Sequence, residues 1–430
     1  MNPIDKNILR LALPSVVSNI TVPLLGLVDL SIVGHLGSTE QIGAIAIGST
    51  IFNMIYWVFA FLRMGTTGMT SQAHGARDAA RCSDTLLRAL LVALGIAALL
   101  CLLQSPIRDM ATMLMHPSEA VRPYFHTYFE ICIWGAPAML CNYALTGWFI
   151  GMQNTRIPMQ VAILQNVLNI ALSLLFVLHL GWGLVGIAAG TVLGLYGGTA
   201  MSCLHVLMMW RKEGLGRPKW RSLLDRSELL RFVRVNIDIF LRTLCLVCVM
   251  SFFTSAGSQQ NDTILSANAL LMEFFMLYSF FMDGLANAAE ALSGECGGAR
   301  DYTLLRHTIG RLFRWAFSLG VLCTLLFIFF GIEMLQLLTN QGSVVLTAIH
   351  YLPYVWAIPL LSVLAFVWDG VFIGLCWSRQ MLVSMFLASI VFFAVDLTLH
   401  PLLHNHALWL AFCCYLLTRG VVQTFIRPSY

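Results

Sequence analysis

The chain has 430 residues, of which 58% are hydrophobic and only 11% charged, against about 25% charged in an average soluble domain. A mean hydropathy of +0.79 excludes a water-soluble fold and makes lipid the solvent. The net charge of +4 sits in the loops, as shown below, which excludes a basic nucleic-acid-binding face. In lipid every backbone polar group must be satisfied internally, so only helices or closed barrels remain. The apolar runs are long, Leu/Ile/Ala-rich and without period-two alternation, which selects helices.

A span takes about 20 apolar residues. In chain order, twelve runs qualify: 8–34, 42–70, 86–106, 122–150, 157–178, 184–210, 230–256, 263–292, 309–331, 344–374, 380–400 and 406–426. The first run, from Leu11 to about Leu36, is too long for the core of a cleavable signal peptide and is expected to be retained. The one long polar segment, Arg211 to Glu228, divides the chain into an N-lobe, 1–217, with spans one to six and a C-lobe, 218–430, with spans seven to twelve.

With the N-terminus in the cytoplasm, 21 of the 25 Lys and Arg fall at cytoplasmic ends and loops. Only Arg108 and Arg122 fall outside, and Arg63 and Arg242 lie within spans. This split follows the positive-inside rule across all the loops and predicts a multi-pass protein of the cytoplasmic (inner) membrane with both termini inside. The twelve cysteines are scattered through apolar runs and read as small buried hydrophobes. Cys245 and Cys248 form a C-x-x-C, but no second pair completes a metal site.

A repeat runs through the chain. Gly75-Ala76-Arg77-Asp78 recurs as Gly298-Ala299-Arg300-Asp301, and Gly147-x-Phe149-Ile150-Gly151-x-x-x-x-Arg156 as Gly370-x-Phe372-Ile373-Gly374-x-x-x-x-Arg379, both at an offset of 223. Because six spans separate the copies, both halves cross the membrane in the same sense. That predicts pseudo-twofold symmetry about the membrane normal, with a central cavity between two six-helix lobes.

Several stretches carry a family resemblance. Leu11-Ala12-Leu13-Pro14, Pro23 to Asp29 with Gly34-His35-Leu36-Gly37, and Arg63 to Gly75 resemble the first two helices of the multidrug and toxic compound extrusion (MATE) family of the MOP superfamily. Asn236, Asp238, Arg242 and Thr243 resemble the seventh helix of its DinF-like branch, and Trp368-Asp369-Gly370-Val371-Phe372-Ile373-Gly374 the tenth. The resemblance covers essentially the whole chain. It implies a cation-coupled antiporter, driven by H⁺ or Na⁺ and needing no cofactor, that exports amphipathic and often cationic organic molecules. It also implies that Asp29 carries the proton. Many members have a second aspartate in the fifth helix, four residues after an asparagine; here Asn169 is followed at that spacing by Ser173.

Charged groups at mid-membrane are costly, at least about 2.5–3.5 kcal/mol, and therefore point to function. Asp29 lies in the outer half of the first span with no Lys or Arg nearby to neutralise it; burial tightens a carboxylate's hold on its proton. The competing role is a carboxylate paired with fifth- or sixth-span donors for packing. Pro23 bends the same span. Asn142, Tyr143, Gln165, Asn166, Asn169 and Ser173 form an N-lobe polar group, which lines a cavity or makes ordinary interhelical hydrogen bonds. In the C-lobe, Asp238 and Arg242 are spaced for an intrahelical ion pair, and Glu273 with Asp369 forms a candidate cation site. Asp283 and Glu290 share a face near the cytoplasmic end of the eighth span. His400, His404 and His406 suggest a metal, but no acid or thiol stands in that loop, so no metal is expected.

The expected partners are a small-molecule substrate and membrane lipid, with the monomer as working unit. The rivals are a flippase for lipid-linked precursors, a channel and a membrane-embedded enzyme. The enzyme lacks the clustered aspartates that would hold Mg²⁺, and two in-span arginines make a poor host for a pyrophosphate head group.

Overall fold

The computed structural model describes residues 2–36, 38–212 and 225–428; the side chains of 22–37 and of 212 lie outside the described residues. Its regular elements are helices: α1 (Pro3–Leu36), α2 (Thr39–Val58), α3 (Phe61–Gly75), α4 (Ala79–Leu102), α5 (Gln104–Met115), α6 (Arg122–Cys132), α7 (Ala136–Gly151), α8 (Arg156–Leu178), α9 (Gly183–Lys212), α10 (Arg226–Ser258), α11 (Asp262–Ala299), α12 (Tyr302–Leu338), α13 (Gly342–Gly374), α14 (Ser378–Leu403) and α15 (Asn405–Ile426). Among the described residues ten stretches are long and apolar enough to cross a membrane. Together with α1 and the broken run Arg122–Gly151 they account for the twelve runs read from the sequence.

Three local features depart from simple spans. The second run breaks at Phe59 and Ala60, where the backbone tightens to three-residue bonds (Leu62 N to Phe59 O and Arg63 N to Ala60 O, both 3.1 Å). The fourth is interrupted by a 3₁₀ turn at Ile133–Gly135. The extra helix α5 has Pro106 in its first turn, where a missing N–H costs nothing. Arg108 fastens α5 to Glu130 of α6 at 2.5 Å, and its own neighbour Asp109, with Glu130, pushes the guanidinium's pKa up. Met110, Met113 and Leu114 are left exposed.

The chain divides into two units: residues 13–232, and residues 1–12 with 233–430. Helices α1 and α10 therefore each begin in one unit and continue into the other. In the unit containing residues 1–12, Asp5 takes Arg311 (3.1 Å) and the indole of Trp315 (3.2 Å) of α12. In the other, Glu228 stands 3.8 Å from Arg88 and 3.5 Å from Arg81 of α4.

Each unit repeats the other's internal joints at the 223-residue offset. Arg77 (φ 57°) and Arg300 (φ 56°) both reverse the chain in the left-handed region, and Gln153 (φ 60°) and Cys376 (φ 54°) do so at a later turn of each unit. Asp78 caps α4 through Arg81 N and Asp301 caps α12 through Leu304 N. A methyl added at Gly147 would land on the carbonyl of Arg63, and one at Gly370 on that of Ala286, the same offset again. These helices meet backbone to backbone, as small residues allow in lipid.

The cores differ. In the first unit Trp148, fully buried, donates to the Cys82 carbonyl (3.0 Å) among Leu86, Phe149, Ile157 and Val161. In the second, Asn268 and Asn405 exchange amide hydrogen bonds (2.8 and 2.9 Å) and Trp409 donates to Asn268 (2.9 Å). These amides and the indole satisfy one another, as packing in lipid favours.

Candidate functional site

The N-lobe polar group is built on α8. Asn169 and Ser173, one turn apart, are 1% and 0% exposed. Asn169 Nδ2 donates to Thr191 Oγ1 of α9 at 2.9 Å, and Thr191 donates on to the Ile187 carbonyl at 3.0 Å. Asn169 Oδ1 and Ser173 Oγ have no hydrogen-bond partner among the described residues. Leaving such a group unpaired costs about 1–3 kcal/mol.

Glycines bring α9 this close. Gly186, Gly190, Gly194 and Gly198 recur every fourth residue and line one face. A Cβ at Gly190 would strike Ser173 Oγ, one at Gly194 would lie 3.1 Å from Asn169 N, and one at Gly198 would collide with the Gln165 side chain. Sequence reading missed both this stripe and Thr191; the four-residue glycine spacing was the available signal.

The remaining candidates are placed as follows. Asn166 Nδ2 donates to the Thr21 carbonyl of α1 at 2.7 Å, two residues before Pro23. Asn142 accepts from Ser202 of α9 (3.2 Å), and Tyr143 lies within electrostatic reach of Arg63. The side chains of Pro23 and Asp29 lie outside the described residues.

The C-lobe corrects two expectations. Asp238 and Arg242 do not pair. Arg242 crosses to Asp369 of α13, while Asp238 accepts from Ser378 Oγ at 2.8 Å, with Arg379 at 3.8 Å. Ser378 opens α14, whose N-terminal dipole favours a carboxylate, and Arg242 answers a more deeply placed charge. Nor do Glu273 and Asp369 form a cation site. Glu273 is exposed, whereas Asp369, 6% exposed, accepts from Arg242, from both Nη2 and Nε of Arg419, and from Gln423 Nε2 at 2.6 Å. A carboxylate already holding two guanidiniums sits in a group of net positive charge and has no lone pair left to bind a cation. Arg419, counted from the sequence among the cytoplasmic charges, is 5% exposed within α15; its position inside the last apolar run was the signal overlooked. Asp283 and Glu290 of α11 add negative charge within electrostatic reach of Arg242. His406 packs against Tyr351 and Tyr354, apart from any three-residue ligand set among the described residues.

The comparisons with known proteins agree on one group. The MatE family model matches residues 14–175 and 239–398, one segment in each half. The chain is 36% identical over 417 residues, 97% of its length, to DNA damage-inducible protein F of Escherichia coli K12, covering 90% of that protein. It is 23% identical to a probable multidrug resistance protein NorM of Acinetobacter baylyi, covering 81% of this chain and 78% of that one. Among solved structures, a MATE in the bent conformation superposes with a TM-score of 0.89 at 19% identity, over 98% of this chain and 94% of that one.

Proposed function

The chain belongs to the MATE family of multidrug and toxic-compound efflux transporters, and from that premise we propose that it exports amphipathic, often cationic small organic molecules across the cytoplasmic membrane in exchange for protons, by alternating access of its two six-span halves. The proton-binding group is Asp29, working with neutral partners on α8. One observation carries this reading: the hydrogen bond from Asn166 to the Thr21 carbonyl fixes the register of α8 against α1. Spans one and five run in the same direction. Asp29 is eight residues beyond Thr21 and Ser173 is seven beyond Asn166, which supports Asp29 lying about level with Ser173, one turn beyond Asn169.

Neutral partners of this kind serve both states of a carboxyl group: a carboxylic acid donates to an amide or hydroxyl oxygen, and a carboxylate accepts from a hydroxyl. Both states find a partner without a fixed cation, which suits a group that must exchange its proton in every cycle. The positive-inside charge distribution supports the cytoplasmic membrane, with both termini inside. Transport of an anionic lipid-linked precursor is a weaker reading, because the buried arginines Arg242 and Arg419 are already spent on Asp369.

The test is dye efflux from energised everted vesicles, with pH and sodium gradients imposed separately. Uptake driven by an inside-acid pH gradient alone is the expected result. Uptake that follows sodium and ignores pH would overturn the choice of proton.

A further inference from the structure

One buried carboxylate of α14 has no place in this scheme. Asp396 is 2% exposed, eighteen residues into the 26-residue membrane-spanning helix α14. Its one described partner is His400, one turn on, with Nδ1 at 3.4 Å from Oδ1. The His400 side chain is 36% exposed against 3% for that of Asp396. One further turn on, the ring of His404 stands 6.4 Å from that of His400 and is exposed. Two titratable groups thus follow each other along α14 and a third caps its C-terminal end, with exposure rising from the buried interior outward.

Among the described residues no Lys or Arg pairs with Asp396. α10 passes beside this part of α14 at Phe252, against Phe392 and Phe393. Between Arg242 and its end at Ser258, α10 carries only Cys245 and Cys248 among titratable groups. α15 contributes His406, engaged by Tyr351 and Tyr354 of α13, the thiols of Cys413 and Cys414, Tyr415, whose hydroxyl goes to Met385, and Arg419, held by Asp369. His350 at the outer part of α13 is exposed. The Nδ1···Oδ1 contact is a hydrogen bond only when one of the two atoms carries a proton.

The repeat gives the position its meaning. Asp396 is the mate of Ser173 at the 223-residue offset. The two halves thus place a hydroxyl and a carboxylate at equivalent buried points of α8 and α14.

We infer that Asp396, His400 and His404 form a second proton-exchange site, entered from the His404 end of α14, so that each half of the transporter takes up a proton. This rests on the proton-coupled export proposed above and adds one proton to its cycle. A proton from water or from His404 binds Nε2 of His400 while the Nδ1 proton passes to Asp396. One proton enters, the imidazole returns to neutral, and no electrons move.

The experiment uses the full-length protein in proteoliposomes with tetraphenylphosphonium as the probe, proton and probe fluxes being recorded together. Asp396→Asn is expected to exchange one proton fewer per probe molecule than wild type. His400→Gln is expected to keep the wild-type count while slowing proton entry from the outer side. A wild-type count in Asp396→Asn overturns the inference. A second measurement needs no transport: infrared difference spectra between pH values should show a carboxyl C=O band that disappears in Asp396→Asn and shifts in His400→Gln. Absence of that band overturns the site even where export is proton-driven. The band together with proton-independent export leaves the site standing and overturns the proposed function.

Discussion

Asp5 and Glu228 are repeat mates, and the arginines they face, Arg311 and Arg88, are mates at the same offset: Asp5 binds Arg311 at 3.1 Å, and Glu228 stands 3.8 Å from Arg88. Each carboxylate sits on the opening turns of a helix, α1 or α10, which then continues into the other unit. The repeat therefore extends beyond sequence motifs to a pair of equivalent electrostatic fasteners. Double-mutant cycles on Asp5→Asn with Arg311→Gln, and on Glu228→Gln with Arg88→Gln, should each give a coupling of about 0.5–1 kcal/mol in thermal unfolding of the detergent-solubilised protein, the range for partly exposed pairs. A coupling indistinguishable from zero in both cycles contradicts this.

Removing the charge of Asp369 leaves Arg242 and Arg419 buried without an anion. Asp369→Asn is expected to lose about 3–5 kcal/mol of stability, the usual cost of breaking a buried pair. Adding Arg419→Gln should recover part of that loss. The measurement is the unfolding midpoint together with the yield of folded protein. An Asp369→Asn protein as stable as wild type would mean that the cluster is not charged as described.

Asp29→Asn keeps size and hydrogen bonding but cannot exchange a proton. A proton falling through 100 mV releases about 2.3 kcal/mol, and each pH unit adds about 1.4 kcal/mol. The variant should insert and bind dye yet fail to accumulate it against a gradient, while Asp29→Glu keeps part of the activity with a displaced pH profile. Uphill export by Asp29→Asn at the wild-type rate and pH dependence removes Asp29 from the mechanism.

The glycine stripe of α9 gives a graded test. Gly190→Leu and Gly194→Leu must push α8 away and break the Asn169–Thr191 bond, a loss of about 1–3 kcal/mol from overpacking. Gly310→Ala in α12, where an added methyl meets nothing within 4 Å, should be neutral or stabilising by about 0.5–1 kcal/mol. Equal unfolding midpoints for all three variants would show that α8 and α9 do not meet as closely as described.

Orientation is checked with reporter fusions. Those after Asp78, Arg156, Asp301 and Arg379 should report cytoplasm, and those near His116, Gly181, Gln341 and His404 the outside. A single robust reversal in mid-chain would break the alternation of the spans.

Much of the fold was legible because hydropathy and charge both act locally. The expected run 344–374 and the helix Gly342–Gly374 agree at one end and differ by two residues at the other. The break at Phe59 was not legible, since no proline or glycine marks it. The Asp238–Arg242 expectation failed for a definite reason. Four-residue spacing weighs only neighbours on one helix, whereas Arg242 responds to a carboxylate 127 positions away. Arg419 was misplaced because a charge seven residues from the end of α15 reads like a flanking one until its partner on α13 is known. Asn169 was found by its polarity in an apolar run, but Thr191 was not, because a threonine among apolar residues gives no sign of what it bonds.

The split of α1 between the two units bears on how the chain is made. Asp5 must wait for a partner 306 residues downstream. At ribosomal speeds of about 5–20 residues per second, that is an interval of roughly 15–60 s. Throughout it the first turns of α1 are already synthesised while their anchoring site does not yet exist. A chain halted before α12 therefore leaves Asp5 without Arg311 and Trp315.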